Sequence, residues 1–481
     1  MRARCRDEIR NNPYAASACD NFEAQAVGDG IWPQWNLPKD PALKKEIESA
    51  FFRWARRVNL YGFEATAARE IFESGEIFCR FHVRPSSWGL RIPLDLQLIE
   101  GEQIPIFLNN LTGGSGGVPQ GNSIRTGIEF DPYERRVAYH MYRHHPGEAS
   151  LFPMDGMTFI RVPATEILHV YKPLRAGLLR GVPHLSVALT MLHEIAKYSD
   201  AAVVKKQIQT MFCAFIKKVS PEGDVMPAPN QDTSQLIPLV QPTADIGVRE
   251  AVLETGTVQE LLPGEEVQFP TLPQDSDIET FFSVFLHQFA VSIGSTYEQI
   301  TGDLRGVNLS SIRYGIQCAQ RKTTQFQRNI LISTLLHPIA VRWLKEAVLS
   351  GELTLPFYAR DPERYEDLTW RIPGWPYMDP LVDAQAATLR IRAGLSSRSK
   401  EAADIGEDST QIDAQQVLDN TRADKEGLIH DSDGRKVLPK GTKLTKDGED
   451  DAGGVAGVKP KDTVIAEPTA PASGKPNGKS N

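Results

Sequence analysis

Four short stretches of this 481-residue chain carry residue types that could do chemistry, and each departs from the pattern its chemistry needs. GGVPQGNS (116–123) has the spacing of the phosphate-binding loop G-x-x-x-x-G-K-[ST], but Asn122 stands in the lysine position and offers no charge to the β- and γ-phosphates. HEIAK (193–197) opens like the zinc motif H-E-x-x-H, yet its second ligand position is Lys197, a cation that repels zinc. His144 and His145 precede Pro146; adjacent residues on a strand end point to opposite faces, and no cysteine joins them. Asp95, Glu100 and Glu102 cluster before a turn, where paired carboxylates can do acid–base work. No nucleophile accompanies them, and they read as a solvated loop. These stretches supply no catalytic, metal or cofactor site, so the chain is not read as an enzyme. The alternative is a nucleotide-binding enzyme using the Gly-rich loop 111–123, marked by ATP hydrolysis that a change at Gly121 abolishes.

A charge asymmetry is more telling. The formal net charge is −8, yet Leu304 to Lys345 contains no Asp or Glu, while Arg305, Arg313, Arg321, Lys322, Arg328, Arg342 and Lys345 all fall there. On a helix over 309–331, Ile312, Ile316, Ala319, Thr323, Phe326 and Ile330 share one stripe. Arg313, Gln317, Arg321, Thr324 and Arg328 share another. Asn308, Ser310 and Ser311 are good N-cap types. Such cations either pair with acids elsewhere in the fold or meet an anionic partner, DNA phosphate or an acidic neighbouring subunit. Arginines and lysines without base-reading groups give sequence-independent, salt-sensitive attraction.

The elements that must position this stretch can be read along the chain. Residues 2–27 are helical, with Ile9, Ala16, Cys19 and Phe22 inward and Pro13 a kink or boundary. GDGIWPQW (28–35) reads as a turn. Asp40-Pro41 opens a helix with Leu43, Ile47, Phe51, Trp54 and Val58 at helical spacing, Asp40 as cap; a second helix covers 63–74. From 76 to 171, EIFCRFHV, LDLQLI, GIEFD, RVAYHMYR, TFIRV and ILHVYK are short, rich in β-branched and aromatic residues, and divided by Gly and Pro. Residues 182–216 are helical; 217–276 form a small β-containing excursion. A short helix spans 277–294 and a long one 309–349, interrupted near His337-Pro338. A helical piece to about 424 breaks at Gly394 and Gly406. Residues 438–481 have almost no bulky apolar side chains to offset ordering entropy and are expected to be disordered.

Composition bounds the function. A hydrophobic fraction of 41% and a charged fraction of 24% are ordinary for a globular protein. A pI near 5.8 argues against a wholesale cationic nucleic-acid binder and leaves room for a local basic surface. Cys5, Cys19, Cys79, Cys213 and Cys318 are scattered without a CxxC pair, as reduced thiols in a cytosolic setting are. No apolar run follows the basic N-terminus and none reaches 18 residues, so neither a signal peptide nor a membrane span is expected.

The stretch YEQITGDLRGVNLSSIRYG (297–315) resembles the signature of lambda-type tailed-phage portal proteins, with Leu309 where tyrosine is usual. Other segments resemble the family in its order. They are RARCRDEIRNNPYAASACDNFEAQAVGDGI (2–31), IRTGIEFDPYERRVAYHMYRHHP (124–146), ILHVYKPLRAGLLRGVPHL (167–185), LLPGEEVQF (261–269) and the C-terminal helical segment 378–412. Residues 173–180 depart from the usual Arg-Pro-Gly-Gln run. The chain also begins at a helix that in the family follows a longer leader.

The resemblance implies an α+β portal fold: an α/β wing, a helical stem, a small β-containing clip, a helical crown and a disordered C-terminal tail. By that likeness 1–181 is wing, 182–216 a stem helix, 217–276 clip, 277–379 stem or channel helices returning to the wing, 380–424 crown and 425–481 mostly disordered tail. It implies a homo-oligomeric ring, usually a dodecamer, at one vertex of an icosahedral head, assembled in the host cytoplasm, with no cofactor and no membrane. Double-stranded DNA passes through its channel. The terminase large subunit docks outside, and major capsid and head-completion proteins are the other partners. Arg305, Asn308, Ser310, Ser311, Arg313, Arg321, Lys322 and Arg328 are the resulting candidates for channel or inter-subunit contacts. A shorter head–tail adaptor is the remaining structural alternative.

Overall fold

The computed structural model describes residues 1–110, 119–148, 159–210, 215–218, 265–268, 278–375, 377 and 379–428. The chain divides into two units, Met1–Gln385 and Ala386–Asn481.

The first unit opens with α1 (Arg2–Asn11) and α2 (Pro13–Val27). Pro13 is the boundary its missing amide predicts, and the Asn12 side chain caps α2 by accepting from the Tyr14 amide at 3.0 Å. The stretch read as a turn at 28–35 ends instead in strand β1 (Trp32–Trp35), antiparallel to residues 368–371. A partner so far along the chain leaves no local trace. Helices α3 (Pro41–Arg57) and α4 (Leu60–Glu73) follow. Asp40 precedes α3 but does not cap it: its carboxylate pairs with Arg364 at 3.1 Å.

Then come β2 (Glu76–Val83), β3 (Leu94–Glu100), β4 (Ser123–Arg125), β5 (Ile128–Phe130), β6 (Arg136–Tyr142), β7 (Phe159–Pro163) and β8 (Ile167–Tyr171). They form two antiparallel sheets, ordered β3-β2-β8 and β4-β5-β6-β7. Along β2, Ile77, Cys79 and Phe81 pack with Phe51, Trp54 and Trp343 of the helical layer, while Phe78 packs with Ile128, Tyr139 and Met141 of the four-stranded sheet. Side chains alternate across a strand, so a strand covered on both faces reads as an unbroken apolar run. Ile77-Phe78-Cys79 is such a run.

Helix α5 (Leu189–Thr210) begins after a 3₁₀ turn at His184–Val187. It ends before the expected 216, because β9 (Phe215–Lys218) pairs antiparallel with β10 (Glu265–Gln268). Most of the expected excursion at 217–276 lies outside the described residues. Next are α6 (Ile278–Ile293), α7 (Tyr297–Thr301) and α8 (Leu309–Phe326). A π-helical segment, Gln327–Leu336, continues α8 directly into α9 (His337–Leu349). The expected interruption at His337-Pro338 is therefore a change of pitch, not a break. Pro338 has no amide to donate, and the widened turn absorbs the loss. The unit closes with α10 (Glu363–Glu366) and β11 (Leu368–Arg371), the partner of β1. Helix α11 (Pro380–Arg392) leads into the second unit, which holds α12 (Arg398–Asp404) and α13 (Ser409–Glu426). Gly394 and Gly406, both at positive φ, follow α11 and α12 as expected. The tail expected to be disordered at 438–481 lies outside the described residues.

One buried carboxylate ties the first unit together. Glu76, at the start of β2, is fully buried. It accepts from the Arg180 side chain at 2.7 Å, the Gly181 amide at 2.6 Å and His169 Nε2 at 2.9 Å, and pairs with Arg2 of α1. Arg180 spends its remaining donors on the carbonyls of Gly101, Ile104 and Thr126. Gly181 has no room for a side chain, since a Cβ there would lie 2.0 Å from the Gly75 carbonyl oxygen. Burial alone would raise the Glu76 carboxyl, but the hydrogen bonds from His169 and Arg180 outweigh it and hold it down to about 2. Burial pushes His169 from its ordinary 6.5 down to about 4.

Both shifts act in one direction. His169 is buried neutral, so the unfolded chain binds more protons between 6.5 and 4; Glu76 does the same between 4.5 and 2. The stability present at pH 7 is expected to be lost progressively as pH drops through 6.5 and on towards 2. Glu76→Gln is expected to cost about 3–5 kcal/mol at pH 7, because it leaves Arg180 buried without its counter-charge. Its disadvantage relative to the native chain should shrink below pH 4.5. Urea unfolding across pH checks both; a pH-independent difference would contradict them.

Candidate nucleic-acid interface

Helix α8 starts where the sequence places its cap. The Asn308 side-chain oxygen accepts from the Ser311 amide at 2.8 Å, and the Ser311 hydroxyl donates back to the Asn308 carbonyl at 3.0 Å. Ala319, Phe326 and Ile330 of the apolar stripe are buried, and Ile312, Ile316 and Thr323 are half-buried. The opposite face is open: Ser310, Ser311, Gln317, Arg321, Gln325 and Arg328 are exposed. Helical periodicity alone divides the two faces.

The cations of the acid-free stretch separate into two groups. Arg305 lies against Asp303 at 2.8 Å and Glu279 at 3.2 Å; its hydrogen bonds hold the Asp303 carboxyl down to about 2. Arg313 pairs with Asp383 at 3.0 Å, and Arg342 with Glu346 at 3.0 Å. Arg321, Lys322 and Arg328 are exposed and make no ion pair among the described residues; Lys322 lies over Gly294, just past α6. The structure thus brings Asn308, Ser310, Ser311, Arg321 and Lys322 onto α8 or its entry and Arg328 onto the π-helical segment that continues it, while Arg305 and Arg313 are already neutralised within the chain.

Two features escaped the sequence reading. Tyr314 stands 72% exposed on this helix, seven residues before Arg321 and so close to it in angular position. Thr296 and Gln299 form a capping box that starts α7 and aims the loop carrying Asp303 and Arg305; the T-x-x-Q spacing was the available signal. His287 and Tyr297 stack beside it, with ring centroids 4.2 Å apart.

The other candidate stretches have structural partners. The Asn122 side chain donates to Glu129 at 2.6 Å, so the lysine-equivalent position of the Gly-rich loop faces a buried carboxylate, the wrong charge for a phosphate. Residues 111–118 of that loop lie outside the described residues. Lys197 reaches Glu194 at 3.4 Å on the exposed side of α5. The cluster read as a solvated loop is ion-paired instead. Asp95 holds Arg57 and Arg84, while Glu100 and Glu102 both hold Arg6 of α1. His145 contacts Glu100 at 3.3 Å. No described helix is long and apolar enough to cross a membrane.

The first unit is thus an α+β body from which a long, capped helix turns exposed cations outward. The model of the lambda family of phage portal proteins matches residues 1–327, and the chain belongs to that family. It is 26% identical to a probable portal protein of Halomonas phage phiHAP-1, over 94% of this chain and 86% of that one. It is 22% identical to the portal protein of Escherichia phage N15 (93% and 89% covered) and 23% identical to portal protein B of Escherichia phage lambda (89% and 84%). Among solved structures, a chain of the virion of a native gene transfer agent particle aligns at TM-score 0.43 with 12% identity, covering 84% of this chain and 92% of that one. The role that goes with the family is that of the phage portal, the head-to-tail connector.

Asn308→Ala is expected to cost about 1 kcal/mol through loss of the α8 cap. Arg321→Gln and Arg328→Gln are expected to stay within about 0.5 kcal/mol of the native chain. Denaturant unfolding of the three variants separates the structural residue from the free cations.

Proposed function

We propose that copies of this chain close into a ring, usually of twelve in the family, at one vertex of the phage head, and that double-stranded DNA passes through it during packaging and ejection. The terminase large subunit docks on the outside and supplies ATP hydrolysis; head-completion proteins replace it, and the major capsid protein surrounds the ring. Residues 1–181 act as wing, 182–216 with 277–379 as stem and channel helices, 217–276 as clip and 380–424 as crown. Assembly takes place in the host cytoplasm.

The observation that carries the reading, beyond family membership, is the exposed acid-free face that runs along α8 into the π-helical segment, with Arg321 and Arg328 uncompensated. Duplex DNA must slide, so tight or base-specific contacts would stall it. A few cations in an otherwise acidic chain attract phosphate weakly and in proportion to how little salt screens them. Asn308, Ser310 and Ser311 set the start of that helix. Lys322 adds a cation at its flank, while Arg305 and Arg313 act by fixing the loop and the helix to neighbouring acids.

Light scattering of the purified chain at low and high salt, followed by negative-stain imaging, is expected to show rings of about a dozen subunits with a central hole. In a packaging assay, Arg321→Gln/Arg328→Gln rings should assemble normally and package less DNA. A monomer that hydrolyses ATP would overturn the reading; unchanged packaging would remove α8 from the channel.

A further inference from the structure

A second basic surface lies at the far end of the helix that begins at the α8 cap, where α9 gives way to Glu352. Helix α3 ends in Arg53, Arg56 and Arg57, and the turn between β2 and β3 carries Arg84 and Arg91. Neither 49–63 nor 83–94 contains an Asp or Glu. Ion pairs join the two segments into one face. Glu352 meets Arg53 at 3.2 Å and Arg91 at 3.5 Å through a single oxygen. Arg53 and Arg57 stand one helical turn apart. Asp95 of β3 meets Arg57 at 2.8 Å and Arg84 at 2.7 Å. Arg56, beside them on the last turn of α3, is exposed and makes no ion pair among the described residues.

Five arginines therefore share two carboxylates, in a chain whose net charge is −8. The carboxylates aim this face without cancelling it. The Arg53 and Arg91 side chains remain 58% and 72% exposed, so their guanidinium groups keep donors turned to solvent. Arg57 spends donors on the carbonyls of Ile92 and Leu94 and fixes the β2–β3 turn to α3. A guanidinium already held in place forks onto an anionic oxygen pair with less ordering still to do.

Trp88 decides which anion fits. It is 59% exposed in the 3₁₀ turn Ser86–Trp88, with Arg84 over its ring at 5.1 Å from the centroid. The backbone of duplex DNA offers phosphate and sugar, which would engage the arginines and leave the indole in water. A polypeptide carries acids and apolar side chains together, and Trp and Arg are the residue types that dominate protein-binding hot spots. We infer that the end of α3 and the β2–β3 turn dock an acidic segment of a partner protein, its carboxylates on Arg53, Arg56 and Arg91 and an apolar side chain on Trp88. The inference goes beyond the ring reading and concerns a face separate from the cations of α8.

Fluorescence anisotropy of the full chain tests it with three labelled probes: a peptide of four Glu-Glu-Leu repeats, one of four Glu-Glu-Ser repeats, and a short DNA duplex. Arg53→Gln/Arg56→Gln/Arg91→Gln is expected to bind the leucine peptide at least about tenfold more weakly than the native chain at low salt, with the gap narrowing as salt rises. Trp88→Ala, which removes no charge, should weaken the leucine peptide at least about threefold and leave the serine peptide unchanged. Both variants should keep the native circular dichroism spectrum. Failure of the native chain to bind the leucine peptide, or equal binding by the arginine variant, would overturn the inference. So would a duplex that binds the native chain more tightly than the peptide and loses that binding in the arginine variant. A fall in particle mass by light scattering in the arginine variant would give the face to a second copy of the chain and overturn it as well.

Discussion

The first unit depends on a carboxylate that cannot be exposed. Glu76 is the meeting point of the N-terminal helix, the central strand, the last strand of its sheet and the segment after it. A buried anion is costly unless its counter-charges and hydrogen-bond donors are fixed in place. Here Arg180, His169, Arg2 and the Gly181 amide surround it, and Arg180 itself is fastened to three carbonyls of other segments. Arg180-Gly181-Val182-Pro183 therefore has a local physical meaning. Arginine neutralises, glycine permits backbone contact with Gly75, and proline turns the chain towards α5.

A second constraint follows from layering. The β3-β2-β8 sheet lies between the helical layer and the four-stranded sheet, so β2 is covered on both faces over Glu76 to Cys79 and opens to solvent only towards Val83. The π-helical segment belongs to the same helical layer, and Leu331, Leu335 and Leu336 are buried there. Gln327 at its start is buried and donates to the carbonyls of Gln25 and Ala26. The helix that carries Arg321 and Arg328 is thus fixed at its C-terminal end by the core, while its N-terminal face stays open.

Much of this was legible in the sequence, for identifiable reasons. Strands β2, β3, β6, β7 and β8 announced themselves through β-branched and aromatic runs, and α8 through Asn308 and its two stripes. Periodicity and capping are local, and local signals survive in a single sequence. What stayed hidden was non-local. Nothing near Asp40 discloses Arg364, nothing near Trp32 discloses residue 371, and Glu76 looks like any strand-end acid. For the candidate face, the stripe was readable but its effective charge was not, since Asp383 and Glu279 cancel two of its arginines from a distance.

The pairing of β1 with β11 also sets a timetable. Trp32 to Trp35 leave the ribosome early, whereas their partners Leu368 to Arg371 follow only after most of the first unit has been made. At about 5–20 residues per second that delay is on the order of tens of seconds. During it, Trp35 lacks the neighbour Trp343 that closes over it in the finished fold. The β1–β11 pair, and the Trp343 contact that covers Trp35, can therefore close only near the end of synthesis of the first unit.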